Sequence, residues 1–167
     1  TVLELASVAG GHGLAVKAAQ STLIDLKVED IPFDSHSYNI DVERLRIAIE
    51  AYRPRLIFLG SSNFLFPNPV REIATICREY PETIIAYDAS HVMGLIACGE
   101  FQHPLDEGAH VVFGSTHKTL PGPQGGIIFS NDSQLMDLIS VAVYPGIVTN
   151  HHLMRGPSLA VSLLEMQ

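Results

Sequence analysis

Four short, almost wholly apolar runs recur along the chain, separated by longer stretches with helical spacing, and this alternation constrains the fold most. The runs are "LIFLG" (56–60), "TIIAYD" (83–88), "HVVFG" (110–114) and "GIIFS" (126–130). A strand that faces water on one side alternates polar and apolar residues, whereas one apolar throughout must be covered on both faces. The intervening stretches supply covers. "PVREIATICREY" (69–80) puts Ile73, Ile76 and Cys77 on one helical face, with Pro69 in the first turn, where its missing N–H has no partner to lose. "DVERLRIAIEAY" (41–52) offers Asp41 as an N-cap and Leu45, Ile49 and Tyr52 as an apolar stripe. "DSQLMDLISVAV" (132–143) and "SLAVSLLEM" (158–166) read as further helices. The expected class is therefore α/β: a mostly parallel sheet covered by helices on both faces. The last two strands, joined by the tight turn "PGPQGG", are expected to run antiparallel. The length of 167 residues suits a single domain with its own core.

Charge and motif content remove several functional classes. Ten Lys and Arg residues against eighteen Asp and Glu give a net charge of -8, with no basic cluster, so no nucleic-acid footprint is expected. No apolar run spans a bilayer and no signal-peptide pattern opens the chain, so a membrane partner is not expected and a cytoplasmic location is. Cys77 and Cys98 have no metal-binding or redox spacing and read as two reduced thiols. "GGHG" (10–13) lacks the spacing of a dinucleotide fingerprint. There is no G-x-x-x-x-G-K-[ST] loop, no H-E-x-x-H pair and no G-x-S-x-G elbow, so no metal site is expected.

The polar residues fall at the ends of the strands. "LIFLG" runs into Ser61, Ser62 and Asn63, "TIIAY" ends on Asp88 with Ser90 and His91 behind it, and "HVVFG" runs into Ser115, Thr116, His117 and Lys118. Each has a local explanation taken singly: an Asp after a strand makes turn bonds, and Ser-Ser-Asn does the same. In open α/β sheets, however, ligands bind beyond the carboxyl ends of the strands, and a parallel sheet would gather all three segments on one rim. A carboxylate, an amine, imidazoles and hydroxyls would then share a site.

These residues resemble the cofactor-binding core of the serine hydroxymethyltransferase family. "DASHVMGLIA" (88–97) is similar to that family's D-x-A-H-x-x-G-L-I/V-A segment, and "THKTLPGPQGG" (116–126) to its T-H-K-T-L-x-G-P-x-G-G segment. The opening "TVLELASVAGGHG" resembles its GGH stretch. The family belongs to the aspartate-aminotransferase-like, fold type I enzymes, which use pyridoxal 5′-phosphate (PLP). The resemblance implies that Lys118 holds PLP as a Schiff base, Asp88 pairs with the pyridine nitrogen, and His91 lies beside the ring near its phenolic oxygen. His12 would stack on the ring, with Gly11 in the same cofactor-binding loop. Ser62 would sit by the ring substituents or the substrate carboxylate. Thr116 and His117 would support the lysine and the phosphate side, Thr116 counting with Lys118, Asp88 and His91 as catalytic. Elementary chemistry agrees: a Schiff base needs an unprotonated amine, and a carboxylate that keeps the pyridine protonated makes the ring an electron sink.

The activity implied is interconversion of serine and glycine with one-carbon transfer to tetrahydrofolate, on a small amino-acid substrate, in a homodimer or higher homo-oligomer. Two alternatives stay open: a related aldolase or transaldolase acting on another β-hydroxy amino acid, and a non-catalytic fragment. The family's F-P-G-x-Q-G-G-P segment is altered here to "YPGIVTNHHLMRGP" (144–157), with Thr149, Asn150 and His151 in place of the glycine pair. Residues 1–167 are expected to be the core of the PLP-binding large domain without the family's N-terminal segment and C-terminal small domain. Those parts would supply further phosphate contacts and the arginine for the substrate carboxylate.

Overall fold

The computed structural model describes residues 1–20, 25–150 and 152–166. In chain order its elements are β1 (Val2–Glu4), α1 (Leu14–Gln20), β2 (Val28–Asp30), a small hairpin of β3 (Phe33–Asp34) and β4 (Asn39–Ile40), and α2 (Val42–Tyr52). There follow β5 (Leu56–Leu59), α3 (Val70–Cys77), β6 (Ile84–Asp88), α4 (Met93–Ala97), α5 (Pro104–Glu107), β7 (Val111–Ser115), β8 (Gly126–Phe129), α6 (Ser133–Val143) and α7 (Arg155–Glu165). The main sheet has the order β2-β1-β5-β6-β7-β8, parallel throughout except for β7 and β8, which pair antiparallel. The expected class and the reversed last strand are both present.

One sheet face forms the core. In-register neighbours Leu3, Ile57 and Ile85, with Leu59 and Tyr87, are buried against Leu45 and Ile49 of α2 and Ile73 and Ile76 of α3. At about 25 cal/mol per Å² of apolar surface, each fully buried Leu or Ile contributes roughly 1.5–3 kcal/mol before its entropy cost. The alternation of side chains places Glu4, Phe58, Asp88, Phe113 and Ser115 on the opposite face. There Phe58 and Phe113 are half-buried and meet at 5.4 Å between ring centroids. Helix α1 is tied to this second face by Glu4, whose carboxylate accepts the N–H groups of Leu14, Ala15 and Val16 at 2.6, 3.1 and 3.3 Å. A buried acid thus caps a helix start, where donors are otherwise unmet and the dipole favours negative charge.

Local chemistry sets the other boundaries. Asp41 caps α2 by accepting Arg44 N–H at 3.0 Å, as expected, but Tyr52 leaves the apolar stripe and is 39% exposed. The chain turns left-handed just after it at Arg53, and the ring packs under the Lys27 ammonium instead. Helix α3 stops at Cys77, three residues short of the periodic pattern. Helix α7 begins at Arg155, ahead of Ser158, and keeps Pro157 inside the first turn, where a proline removes no helical hydrogen bond. Neither α6 nor α7 buries a residue.

Candidate functional site

The strand order fixes where a site can form. The chain leaves β1 for β2 on one side, then returns to β5 on the other, so the sheet's switch point lies between the carboxyl ends of β1 and β5. The two loops leaving those ends are stitched together: the Gly10 carbonyl accepts both the Ser61 hydroxyl and the Ser62 N–H at 2.8 Å. Gly60 makes the turn after β5 possible. It has φ +116, and a side chain there would strike the Asp88 backbone at the neighbouring strand end. A cavity of ≈ 580 Å³ opens beside this junction, lined in part by Gly10, Ser61, Asn63 and Phe64.

Four of the expected site residues form one connected group on the second face of the sheet. Asp88, 3% exposed, ends β6 with Oδ1 accepting the Ser90 N–H at 2.8 Å. Its other oxygen lies 3.6 Å from His12 Nδ1. The His12 ring stacks on the His91 ring, centroids 5.5 Å apart and planes 29° from parallel. His91 Nε2 is 3.0 Å from Lys118 Nζ. The carboxylate of residue 88 and the amine of residue 118 are thus bridged by two imidazoles. Burial, then the nearby Lys118 and His12 charges, push the His91 pKa below the usual imidazole value, with Asp88 opposing them.

The lysine loop is held from both sides. Thr116 is buried; its hydroxyl donates to Pro123 O at 2.6 Å, and its N–H donates to Gly125 O at 3.0 Å. Gly125 N–H donates to His117 Nδ1 at 3.3 Å. On the other side, Gly94 N–H donates to Thr119 Oγ1 at 3.2 Å, and α4 lies so close that a side chain at Gly94 would meet the Thr119 backbone. Of the remaining expected residues, Gly11 packs against the Leu5 carbonyl and brings His12 to the rim, while Ser62 is half-buried beside it. His117 faces the glycine turn rather than the His12–His91 stack. Thr149 and Asn150 are exposed, and His151 lies outside the described residues.

Sequence reasoning put Ser90 and Ser115 at the rim without a role and missed Arg155. Ser90 Oγ accepts the Ser115 N–H at 3.1 Å and lies 3.3 Å from Ser115 Oγ, tying the ends of β6 and β7 together under Asp88. Both serines stand at strand ends, which is the signal that placed them on the rim. The Arg155 side chain, at the start of α7, lies over Gly125; a Cβ built there would be 3.9 Å from Nη1. No local pattern marks that contact across thirty residues.

The donor set suits a flat, anionic, aldehyde-bearing ring such as PLP. It offers one amine, one buried carboxylate and an imidazole to stack. The strongest sign is His12, whose Nδ1 and Nε2 are both buried without a hydrogen-bond partner among the described residues. Native interiors rarely leave such atoms unmet. Among the described residues, no group of three or more His, Cys, Asp or Glu side chains is arranged to hold a metal ion. No helix there is long and apolar enough to cross a membrane.

Comparison with known proteins gives consistent matches. The family model for serine hydroxymethyltransferase matches residues 1–166. The serine hydroxymethyltransferase of Methanocella arvoryzae is 47% identical over 166 residues, covering 99% of this chain and 39% of that protein. The enzyme of the same name from Methanopyrus kandleri is 47% identical over 167 residues, again covering 39% of its length. Among solved structures, L-threonine transaldolase from Pseudomonas fluorescens in its internal aldimine state superposes with a TM-score of 0.90 at 33% identity, over 99% of this chain and 37% of that one. The chain therefore spans about two fifths of the length of these relatives.

Proposed function

Because the chain belongs to the serine hydroxymethyltransferase family, we propose that residues 1–167 are the PLP-binding core of the large domain of an enzyme that interconverts serine and glycine. Tetrahydrofolate would be the one-carbon cosubstrate, and the intact protein a cytoplasmic homodimer or higher homo-oligomer. The observation that carries this reading is the linked group Asp88–His12–His91–Lys118 at the carboxyl ends of the strands. Bound PLP supplies an electron sink for a carbanion at the α-carbon of the amino acid.

The chain's own residues prepare that chemistry. Lys118 would present its amine to the cofactor's aldehyde carbon. Asp88, with one oxygen fixed by the Ser90 N–H, would offer the other to the ring nitrogen and hold a proton there. His12 supplies a flat apolar face and two nitrogens that still need partners. His91 stands on the lysine side, where it would face the ring's phenolic oxygen. Gly11 and Ser62 complete the wall at the switch point, Ser62 toward the substrate carboxylate. Thr116 and His117 keep the glycine turn in shape on the phosphate side. Substrate carboxylate binding and the remaining phosphate contacts fall to the parts of the relatives that these residues do not span.

The test is chemical. Purified protein incubated with PLP and reduced with borohydride is expected to carry the cofactor on Lys118 in a peptide map. An adduct on Lys17 or Lys27 instead overturns the assignment. Cleavage of serine against threonine, with and without folate, separates the hydroxymethyltransferase from a transaldolase-type relative.

A further inference from the structure

The contact between Lys118 and His91 has chemical content beyond positioning. A lysine amine is ordinarily cationic at neutral pH, with three N–H donors and no lone pair to react. Facing His91 Nε2 at 3.0 Å, it must be the donor, so Nε2 carries the lone pair and any ring proton sits on Nδ1. Among the described residues, no carboxylate forms an ion pair with Lys118. That difference matters, because an anionic carboxylate would hold the proton on the amine by its charge, whereas a neutral imidazole exerts no such hold and is ordinarily the stronger base of the two acceptors. The charged and titratable groups facing His91 are Lys118, His12 and Asp88. Burial and the first two disfavour imidazolium, so the acceptor stays available below the usual imidazole range.

We propose that His91 is the proton carrier for cofactor loading: it takes a proton from Lys118 so that the amine can attack the cofactor aldehyde, and returns it to expel the carbonyl oxygen as water. This rests on the cofactor-core reading above. In the first step an N–H bond of the ammonium breaks and its proton moves to His91 Nε2. The freed nitrogen lone pair forms the bond to the aldehyde carbon, and the carbonyl π electrons move to oxygen. A second proton from the same nitrogen passes to that oxygen, giving a hydroxyl. The His91 imidazolium then protonates the hydroxyl, the C–O bond breaks, and water leaves with the nitrogen lone pair closing the double bond. One ammonium and one aldehyde become one iminium and one water, and His91 ends as it began.

The experiment measures loading, not turnover. Apo protein is mixed in a stopped-flow instrument with PLP and, separately, with pyridine-4-carboxaldehyde, which has no phosphate. The C=N absorbance is followed from about pH 5 to about pH 9. Borohydride mapping fixes the adduct site, and circular dichroism confirms that His91→Asn and His91→Gln are folded, so that one variant suffices if the other is not. Both variants are expected to load about 100-fold more slowly near neutrality with both aldehydes. Their rates should climb with pH toward the lysine range of about 10, whereas the wild-type rate should hold through neutrality and fall only below the usual imidazole range. Free imidazole in the buffer should restore the variants. Loading of Lys118 in both variants at the wild-type rate and pH profile overturns the inference while leaving the cofactor assignment standing. Absence of a Lys118 adduct in the wild type with either aldehyde overturns the assignment itself.

Discussion

Replacing Gln102 by Leu is expected to destabilise the protein far more than its position outside the site suggests. Gln102 lies in the loop before α5, is 9% exposed, and makes four hydrogen bonds to three residues. Its Oε1 accepts the Asn68 N–H at 2.9 Å and the Tyr87 hydroxyl at 2.8 Å, and its Nε2 donates to Asn68 O at 3.0 Å and Glu107 Oε2 at 2.8 Å. Burial first, then Glu107 and Asp88, push the Tyr87 phenol far above its usual range, so it remains a neutral donor that needs an acceptor. Leucine keeps the volume but leaves the Tyr87 hydroxyl and the Asn68 N–H as buried orphans. At about 1–3 kcal/mol for each such group, the expected loss is about 3 kcal/mol, a large share of a typical domain's stability. Asn68 in turn holds the Gly60 N–H through Oδ1 at 3.2 Å, so the loop carrying Ser61 and Ser62 should loosen as well. Urea unfolding measures the loss, and amide exchange at Gly60 reports the loosening. The diagnostic variant adds Tyr87→Phe: alone it should cost about 1 kcal/mol, but in the leucine background it should recover a similar amount, because it removes an orphan. A loss below about 1 kcal/mol for Gln102→Leu, or simple additivity of the two changes, refutes the reasoning.

Two further outcomes follow from the site. Asp88→Asn should keep the fold, since an amide oxygen can still accept the Ser90 N–H, but it presents an N–H where the ring nitrogen needs a negative oxygen. Losing a carboxylate partner lowers the ring nitrogen's pKa by roughly 1–3 units, so PLP-dependent exchange of the glycine α-proton in deuterated water should slow by about tenfold or more; an unchanged rate counts against the role given to Asp88. Gly94→Ala would place a Cβ 2.6 Å from the Thr119 carbonyl carbon, backbone against which no side chain can yield. Unfolding should show a cost of about 1–3 kcal/mol, and Lys118 labelling by PLP should slow; stability and labelling both at wild-type level would show that α4 does not hold the lysine loop.

What could be read from the sequence was whatever local periodicity encodes. Strands β5 to β8 announce themselves as apolar runs, and the start of α2 by its cap, Asp41, which accepts the Arg44 N–H; α6 was legible as a helix, and its cap Asp132, which accepts the N–H groups of Gln134 and Leu135 at 2.9 and 3.1 Å, emerges with the structure. Strand β1 was not legible as a strand, because its third residue is Glu4, which looks like a surface acid until the α1 N-terminus comes to meet it. The strands "VED", "FD" and "NI" are too short for any period. Strand order is a non-local property, so the rim could be inferred from the strand ends but the switch point between β1 and β5 could not. The same holds for Gln102, whose partner Asn68 lies 34 residues away with no pattern joining them.

The polar groups at the rim divide into those the fold satisfies and those it leaves wanting, and that division is the best guide to what the site is for. Ser61, Ser90, Thr116 and one oxygen of Asp88 are bonded to backbone and behave as structure. Both ring nitrogens of His12 are buried without a hydrogen bond, Nδ1 lying 3.6 Å from an Asp88 oxygen, and Lys118 bonds only another titratable group among the described residues. Burying an unpartnered polar atom costs about 1–3 kcal/mol, and a core selected for stability alone would replace such an imidazole with an apolar side chain. Departures from local consistency concentrate where function requires them. Here they are the imidazole and the amine to which the proposed reading gives stacking and covalent roles, while the carboxylate it pairs with the ring nitrogen is anchored by a backbone N–H at 2.8 Å.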